Sequence, residues 1–341
     1  MKIRTAFFLA LALLLAGCGT HRSTRPLPTT FDPLALSALD DSRFFAFGTL
    51  PCSAGRCFAI ERTTDGGRTF DRVRTPVGLP AEGTTPTLRF ADGRNGFLWV
   101  PFAWGSFWST HDGGATWRRM RSPAVVAFTT AGSEAYAIVA RCTPASCRDY
   151  RFARGPASAV RWWESHFPYA PNGPALDLAA RGRDVWILGT PDSTVAALRH
   201  DVLSRSTDGG RTFATGFGPC VPGLGGRLVP SSTRVVWAVC PTGMLAGAAR
   251  STDGGATFAP LHTPPLSNGA VLFPASDDTT ILAPNAAGSA SYRTTDGGRT
   301  WRRLRAQLGG IVFTSPRNGI AVAHGRLVHT ADAGLTWQVR W

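Results

Sequence analysis

One eight-residue string recurs six times in this chain: TTDGGRTF at Thr63–Phe70, THDGGATW at Thr110–Trp117, STDGGRTF at Ser206–Phe213, STDGGATF at Ser251–Phe258, TTDGGRTW at Thr294–Trp301 and TADAGLTW at Thr330–Trp337. A repeat of this kind constrains the fold more than length does, because each unit must bury its apolar face on the next. Successive repeat aspartates stand 47, 96, 45, 43 and 36 residues apart. One interval is double length, so a degenerate seventh copy is expected at Arg151–Ser165, which keeps Gly155, Trp162 and Trp163 but has lost the aspartate.

A second signal gives the same count. Short apolar strands follow turn residues at 44–49, 96–100, 135–140, 185–190, 235–240, 280–285 and 319–324. Within the unit from Leu88 to Pro123 the strands TLRFAD, GFLWVPF, SFWST and TWRRMRS succeed one another, with the repeat turn between the last two. Their β-branched and aromatic content and the absence of helical spacing predict four strands per unit. Seven such units make an all-β, seven-bladed β-propeller of four-stranded antiparallel blades, an architecture that leaves only short sheet edges. A first strand near Leu34 and a last strand at the C-terminus predict blades contiguous in sequence, closed by packing blade 7 on blade 1.

The repeated string resembles the Asp box, also called the bacterial neuraminidase repeat, S/T-x-D-x-G-x-T-W/F. Its chemistry needs no ligand. Asp65, Asp112, Asp208, Asp253, Asp296 and Asp332 are expected to accept hydrogen bonds from their own turns, with glycines supplying positive φ and the aromatic packing against the blade. Asp boxes are shared by sialidases, other glycosidases, sortilin ectodomains and photosystem II assembly factors, so the fold does not fix the function. The likeness to the assembly factors runs from about Leu34 to Trp341 and implies a scaffold that holds a membrane-protein partner. Additional cysteines and the lost box of blade 3 depart from it.

The N-terminus begins with Lys2 and Arg4, continues with an apolar run from Ala6 to Ala16, and ends at Gly17-Cys18. That is a signal-peptide pattern, too short for a spanning helix. The string LAGC resembles the lipobox of bacterial lipoproteins, which implies cleavage after residue 17 and diacylglycerol on Cys18. The expected organisation is therefore a signal over 1–17, a lipidated cysteine and polar tether over 18–33, and the propeller over 34–341. The expected location is the outer face of the cell membrane, or the outer membrane.

Six cysteines remain. In an exported chain an even number reads as disulfides. Cys52 with Cys57 and Cys142 with Cys147 each bracket a turn-like sequence, and Cys220 and Cys240 are left to pair by elimination. A metal site is the alternative, but His111, His200, His262, His324 and His329 show no ligand spacing beside these cysteines. No metal and no cofactor are expected.

The formal net charge is +14, and all positive charge beyond Lys2 is arginine. Export makes nucleic acid the least suitable partner of a basic chain, leaving anionic lipid or an acidic polymer. Arg62, Arg205, Arg250 and Arg293 stand three residues before a repeat aspartate, and Arg68, Arg211 and Arg299 stand three after. They predict an anion-binding girdle on the outer side of the repeat turns; solvated surface charge is the alternative.

Enzyme signatures are sparse. A sialidase-like site needs three arginines, a tyrosine activated by a glutamate, and an acid. The Arg-Ile-Pro motif that usually accompanies it is absent, and only four tyrosines and four glutamates are present. The adjacent pairs Asp40-Asp41 and Asp277-Asp278 fall on turns, where carboxylates are usually solvated rather than set across a glycosidic bond. The expected function is an extracytoplasmic, monomeric, lipid-anchored binding or assembly scaffold for a protein or anionic polymer. An exo-glycosidase is the alternative.

Overall fold

The structure is a computed structural model that describes residues 25–53, 55–79, 86–100, 106–120, 123–143, 146–192, 200–267, 269–283 and 290–340. The signal segment, Cys18, Glu82, Trp104 and Gly105 lie outside the described residues.

Seven four-stranded antiparallel sheets follow one another along the chain, each with its strands in sequence order. Blade 1 comprises β1 (Asp32–Ala38), β2 (Phe44–Cys52), β3 (Gly55–Thr63) and β4 (Asp71–Val73); blade 2 comprises β5 (Thr87–Phe90), β6 (Gly96–Trp99), β7 (Phe107–Thr110) and β8 (Arg118–Met120). Blade 3 is β9 (Ala124–Ala131), β10 (Glu134–Cys142), β11 (Cys147–Pro156) and β12 (Trp163–His166); blade 4 is β13 (Pro171–Arg181), β14 (Asp184–Pro191), β15 (Val202–Ser206) and β16 (Ala214–Phe217). Blade 5 holds β17 (Arg227–Pro230), β18 (Val236–Pro241), β19 (Leu245–Ser251) and β20 (Ala259–Ser267); blade 6 holds β21 (Val271–Pro274), β22 (Thr280–Ala283), β23 (Tyr292–Thr294) and β24 (Arg302–Arg303). Blade 7 is β25 (Gly309–Phe313), β26 (Gly319–Ala323), β27 (Arg326–Thr330) and β28 (Gln338–Val339). The seven apolar runs seen in sequence are the seven second strands.

The first strands form the inner ring. β1 packs beside both β5 and β25, and β13 beside both β9 and β17. The ring therefore closes by contact between blades 7 and 1, with no strand exchanged.

There is no single core. Seven apolar clusters lie between successive blades, one for each interface, including Phe44, Phe70, Ile320 and Leu327 where blade 7 meets blade 1. A second strand is covered by a neighbouring blade on each face, which is why it reads as an unbroken apolar run rather than an alternating one. Each fully buried side chain of this kind contributes about 1.5–3 kcal/mol. The repeat aromatic has a specific place in these interfaces. Trp117 of blade 2 packs with Phe45 and Phe90, Phe213 of blade 4 with the cluster holding Phe152, and Trp337 of blade 7 with the cluster holding Ile281. It fills the joint with the preceding blade, rather than only its own sheet.

The boundary of the body differs from the sequence expectation of residue 34. Arg25 pairs with Phe70 through two backbone hydrogen bonds of 3.1 and 2.6 Å, and Phe31 is buried with Leu27 against it in the blade 7–blade 1 interface. Residues 25–33, assigned above to the tether, are part of the folded body. The cause is Glu61: it is fully buried and needs cations, which Arg25 (2.9 Å) and Arg72 (2.7 Å) supply.

Candidate functional site

The alternation of strands puts the first-to-second and third-to-fourth turns of every blade at one end of the propeller, here the turn end. The second-to-third hairpins and the connections between blades lie at the other, the hairpin end.

At the turn end, all six repeat aspartates are consumed by their own turns. Asp65 Oδ1 accepts from Thr63 Oγ1 (2.8 Å) and Thr69 N–H (3.0 Å), and its Oδ2 accepts from Thr69 Oγ1 (2.6 Å). The same three bonds form at Asp112, Asp208, Asp253, Asp296 and Asp332. The repeat threonine hydroxyl is the main force lowering Asp65 and Asp296 to about 2; at Asp112 desolvation opposes, and the same hydrogen bonds outweigh it, to about 2. The residue after each aspartate donates its N–H to the first turn of the same blade, as Gly66 does to Ser42 O at 2.8 Å. Gly66 and Gly67 adopt φ of 73° and 85°, a region that suits glycine. At Gly114 a Cβ would collide with Val73 of the preceding blade.

The seven girdle arginines do not form one set. Three reach sideways. Arg205 donates to Asp253 O (3.3 Å), Arg250 to Asp277 O (3.0 Å) and Asp278 Oδ1 (2.9 Å), and Arg293 to Ala333 O (2.7 Å), each from one blade to the next. Arg62 pairs with Asp71 at 2.8 Å within blade 1 and lies against Gly113 of blade 2. Arg68, Arg211 and Arg299 stay exposed; Arg211 turns back onto Asp208 O at 2.8 Å. The sideways three tie blades together and Arg62 is held within its own, which leaves the four little capacity for a ligand.

The turn carboxylates are likewise occupied. Asp40 caps Ser42 and Arg43 N–H groups and pairs with Arg43 at 2.6 Å. Asp41 accepts from Thr314 Oγ1 and Asn318 Nδ2 of blade 7. Asp277 accepts from Ser231 (2.8 Å) and Ser232 (3.1 Å) of blade 5. Neither adjacent pair presents two free carboxylates to a sugar.

The mouth of the central channel at this end is a cavity of about 620 Å³, lined by inner-strand residues of blades 1, 2, 3, 4 and 7. Arg89 projects from the face of β5 opposite Leu88 and Phe90, donates to Thr130 Oγ1 at 3.0 Å, and has its pKa lowered by desolvation. Arg43 and Arg181 share this mouth. Farther along the inner ring, burial pushes the Asp177 carboxyl up, opposed by Arg227, and its Oδ2 accepts from Leu228 N–H at 2.7 Å. Nothing in the sequence marked Arg89 or Asp177, because the repeat lies in the third-to-fourth turns and is silent about the inner strands.

The hairpin end is stapled by three disulfides. Cys52–Cys57 and Cys142–Cys147 close two hairpins, and Cys220–Cys240 joins the connection after β16 to the end of β18. Around the third staple, Phe217, Val221 and Leu224 of one side and Met244 and Leu245 of the other are exposed, Met244 to 90 %. Beneath them Asp201 is fully buried, raised by desolvation against a hydrogen bond from Thr190 (2.8 Å), and burial also pushes the nearby Tyr169 phenol up. Among the described residues no group of three or more histidine, cysteine, aspartate or glutamate side chains could hold a metal ion.

No family model and no curated protein matches the chain. Solved structures do. The chain is similar to YCF48 bound to D1 peptide, with 18 % identity, TM-score 0.53, and coverage of 91 % of this chain and 96 % of that one. It is also similar to YCF48 from Cyanidioschyzon merolae, with 14 % identity, TM-score 0.53, and coverage of 91 % and 98 %. A Niastella koreensis GH74 enzyme matches at 13 % identity and TM-score 0.38, over 90 % of this chain and 71 % of that one, too distant to inform the chemistry. What the first two likenesses share with this chain, over nearly its whole length, is the seven-bladed β-propeller fold.

Proposed function

We propose that this protein is an extracytoplasmic scaffold, exported by residues 1–17 and anchored by lipid on Cys18, whose hairpin end receives a protein partner. The observation that carries the reading is the exposure of Phe217, Leu224, Met244 and Leu245, each within five residues of a cysteine of the Cys220–Cys240 staple. Exposed apolar side chains in a group cost solvation unless a partner covers them. A stapled frame loses less conformational entropy when that happens. The YCF48 structure with a D1 peptide is a propeller holding a polypeptide, which supports the same class of role without indicating the same partner. The partner class extends to an anionic envelope polymer, for which Arg89 and Arg181 in the channel mouth are the suited cations. Nucleic acid is not a partner in this reading, and the protein acts as a monomer.

The exo-glycosidase alternative is disfavoured by the carboxylates. Hydrolysis needs two of them flanking one bond, whereas the turn pairs are consumed and Asp201 is sealed from substrate. Affinity capture from the producing organism's own envelope tests the two together. The scaffold reading expects a partner that is lost on Leu224→Asp with Met244→Asp while the melting temperature holds, and no turnover of fluorogenic sialosides or aryl glycosides. Turnover abolished by Asp177→Asn in a folded protein would reverse the ranking.

A further inference from the structure

The outer strands divide the ring into two unequal sectors. From the fourth strand to the next blade, blades 1, 2, 6 and 7 carry nine arginines against Asp71 and Glu82, while blades 3, 4 and 5 carry no arginine and one glutamate. Blades 6, 7, 1 and 2 are consecutive around the closed ring, joined through the apolar clusters of their interfaces. Those among the described residues therefore follow one another along an arc of the rim; Arg121 and Glu82 lie outside the described residues. Arg74, Arg118, Arg302, Arg303 and Arg305 are exposed on it.

The chain enters the folded body in this arc. Arg25 pairs with Phe70 immediately before β4, shares Glu61 with Arg72, and lines a groove with Arg72 and Arg74 on the rim of blade 1. Seven residue steps separate Cys18 from Arg25, a reach of at most about 25 Å even when fully extended. The opposite sector, blades 4 and 5, holds the exposed apolar group at Phe217 and Met244.

We infer that the part of this arc on the adjacent blades 1 and 2, where the chain enters, is a membrane-docking surface that lies on anionic lipid headgroups, seating the propeller rim-down and directing blades 4 and 5 away from the bilayer. This rests on the lipid-anchor reading of Cys18 for its orientation, though not for its charge. A short tether raises the effective concentration of the arc at the surface, and a basic patch is the usual second signal that makes lipid anchoring stable. Arginines near an anionic surface each add roughly fivefold to partitioning, within a Debye length. The girdle arginines Arg62, Arg205, Arg250 and Arg293 are not needed for it, since they are spent within and between blades.

The test uses residues 19–341, which contain the whole folded body, and sedimentation with vesicles of phosphatidylcholine alone or with about three parts in ten phosphatidylglycerol. Preference for the anionic vesicles, lost in about 0.5 M salt, is expected. The triple change Arg74→Gln, Arg118→Gln, Arg119→Gln should lower anionic binding at least about tenfold, and the control triple Arg148→Gln, Arg161→Gln, Arg234→Gln should leave it within about twofold. Equal losses in both triples overturn the inference, as does binding to a soluble acidic polysaccharide with no vesicle preference. Labelling of Cys18 with palmitate in the full chain separates the two ideas. An unlabelled chain whose body still prefers anionic vesicles keeps the arc and removes the anchor; a labelled chain whose body has no preference removes the arc alone.

Discussion

In six blades the turn before the outer strand is built around an aspartate that accepts three hydrogen bonds; in blade 3 the corresponding position is Pro156, which has no side-chain acceptor. Yet Ala157 N–H still reaches Ser133 O at 2.7 Å, the bond that Gly66 makes to Ser42 in blade 1. Trp162 still fills the joint with blade 2, among Phe97, Phe107 and Phe128. One residue more separates it from the turn than separates Phe70 from Asp65. Its central strands β10 and β11 are long and stapled at their far end by Cys142–Cys147, as β2 and β3 of blade 1 are by Cys52–Cys57. The difference teaches that the ring requires the backbone tie and the aromatic wedge, and that the aspartate is one way of obtaining the tie.

The largest test of that statement is Trp162→Ala. Removing a large aromatic from a packed joint costs about 3–5 kcal/mol, and the loss should match that of Trp337→Ala in blade 7, which has an intact box. Chemical denaturation measures both. A loss under about 1 kcal/mol at Trp162 alone would show that blade 3 holds its place by other means.

Next come the staples. On the chain-entropy model the loop closed by Cys220–Cys240 contributes about 3 kcal/mol and the six-residue loop of Cys142–Cys147 about 2. Replacing each pair with serine should therefore destabilise in that order. If blade 3 relies on its staple in place of the missing aspartate, the Cys142–Cys147 loss will exceed that of Cys52–Cys57, which closes an equal loop in a blade with a complete box.

The repeat made the ring legible, because the string is local and each copy writes its own turn. The seven second strands were legible for a related reason: burial on both faces leaves no polar position in the run. What joins the blades was not legible. Arg205 and Arg293 read as surface charge until their partners on the next blade are known, and Asp41 reads as half of a carboxylate pair until blade 7 brings Thr314 and Asn318 to it. Residues 25–33 read as tether because their proline and polar content is that of a linker; only the buried Glu61, thirty-six residues along from Arg25, explains why they dock.

A smaller effect separates the two kinds of turn directly. Thr63 is buried, accepts Gly67 N–H at 2.9 Å and donates to Asp65. Thr63→Val leaves that amide unsatisfied and should cost about 1–3 kcal/mol. The equivalent position of blade 3 is Gly155, opposite Ala135 as Thr63 is opposite Phe44, and it has no hydroxyl to lose; Arg154→Ala, one residue earlier where the side chain stacks over the exposed Trp163, should change stability by under about 0.5 kcal/mol. Thermal melts of the two variants, side by side, decide it.

The smallest effect per blade is acid sensitivity. The folded-state pKa of Asp65, Asp112 and Asp296 lies at about 2, below the usual unfolded value near 3.9. Their contribution to stability is therefore complete above pH about 4 and is lost as pH falls toward 2. Asp177 and Asp201 act in the opposite sense, since burial raises them and protonation favours the folded form. Blade 3 has no aspartate in its turn and should not respond. Hydrogen exchange, corrected for the intrinsic rate at each pH, should show Gly67 losing protection between pH 4 and 2 while Ala157 keeps its own. Equal loss at both amides would mean that the acid transition is global, and that the aspartates of six blades and the proline of the seventh are not doing separable jobs.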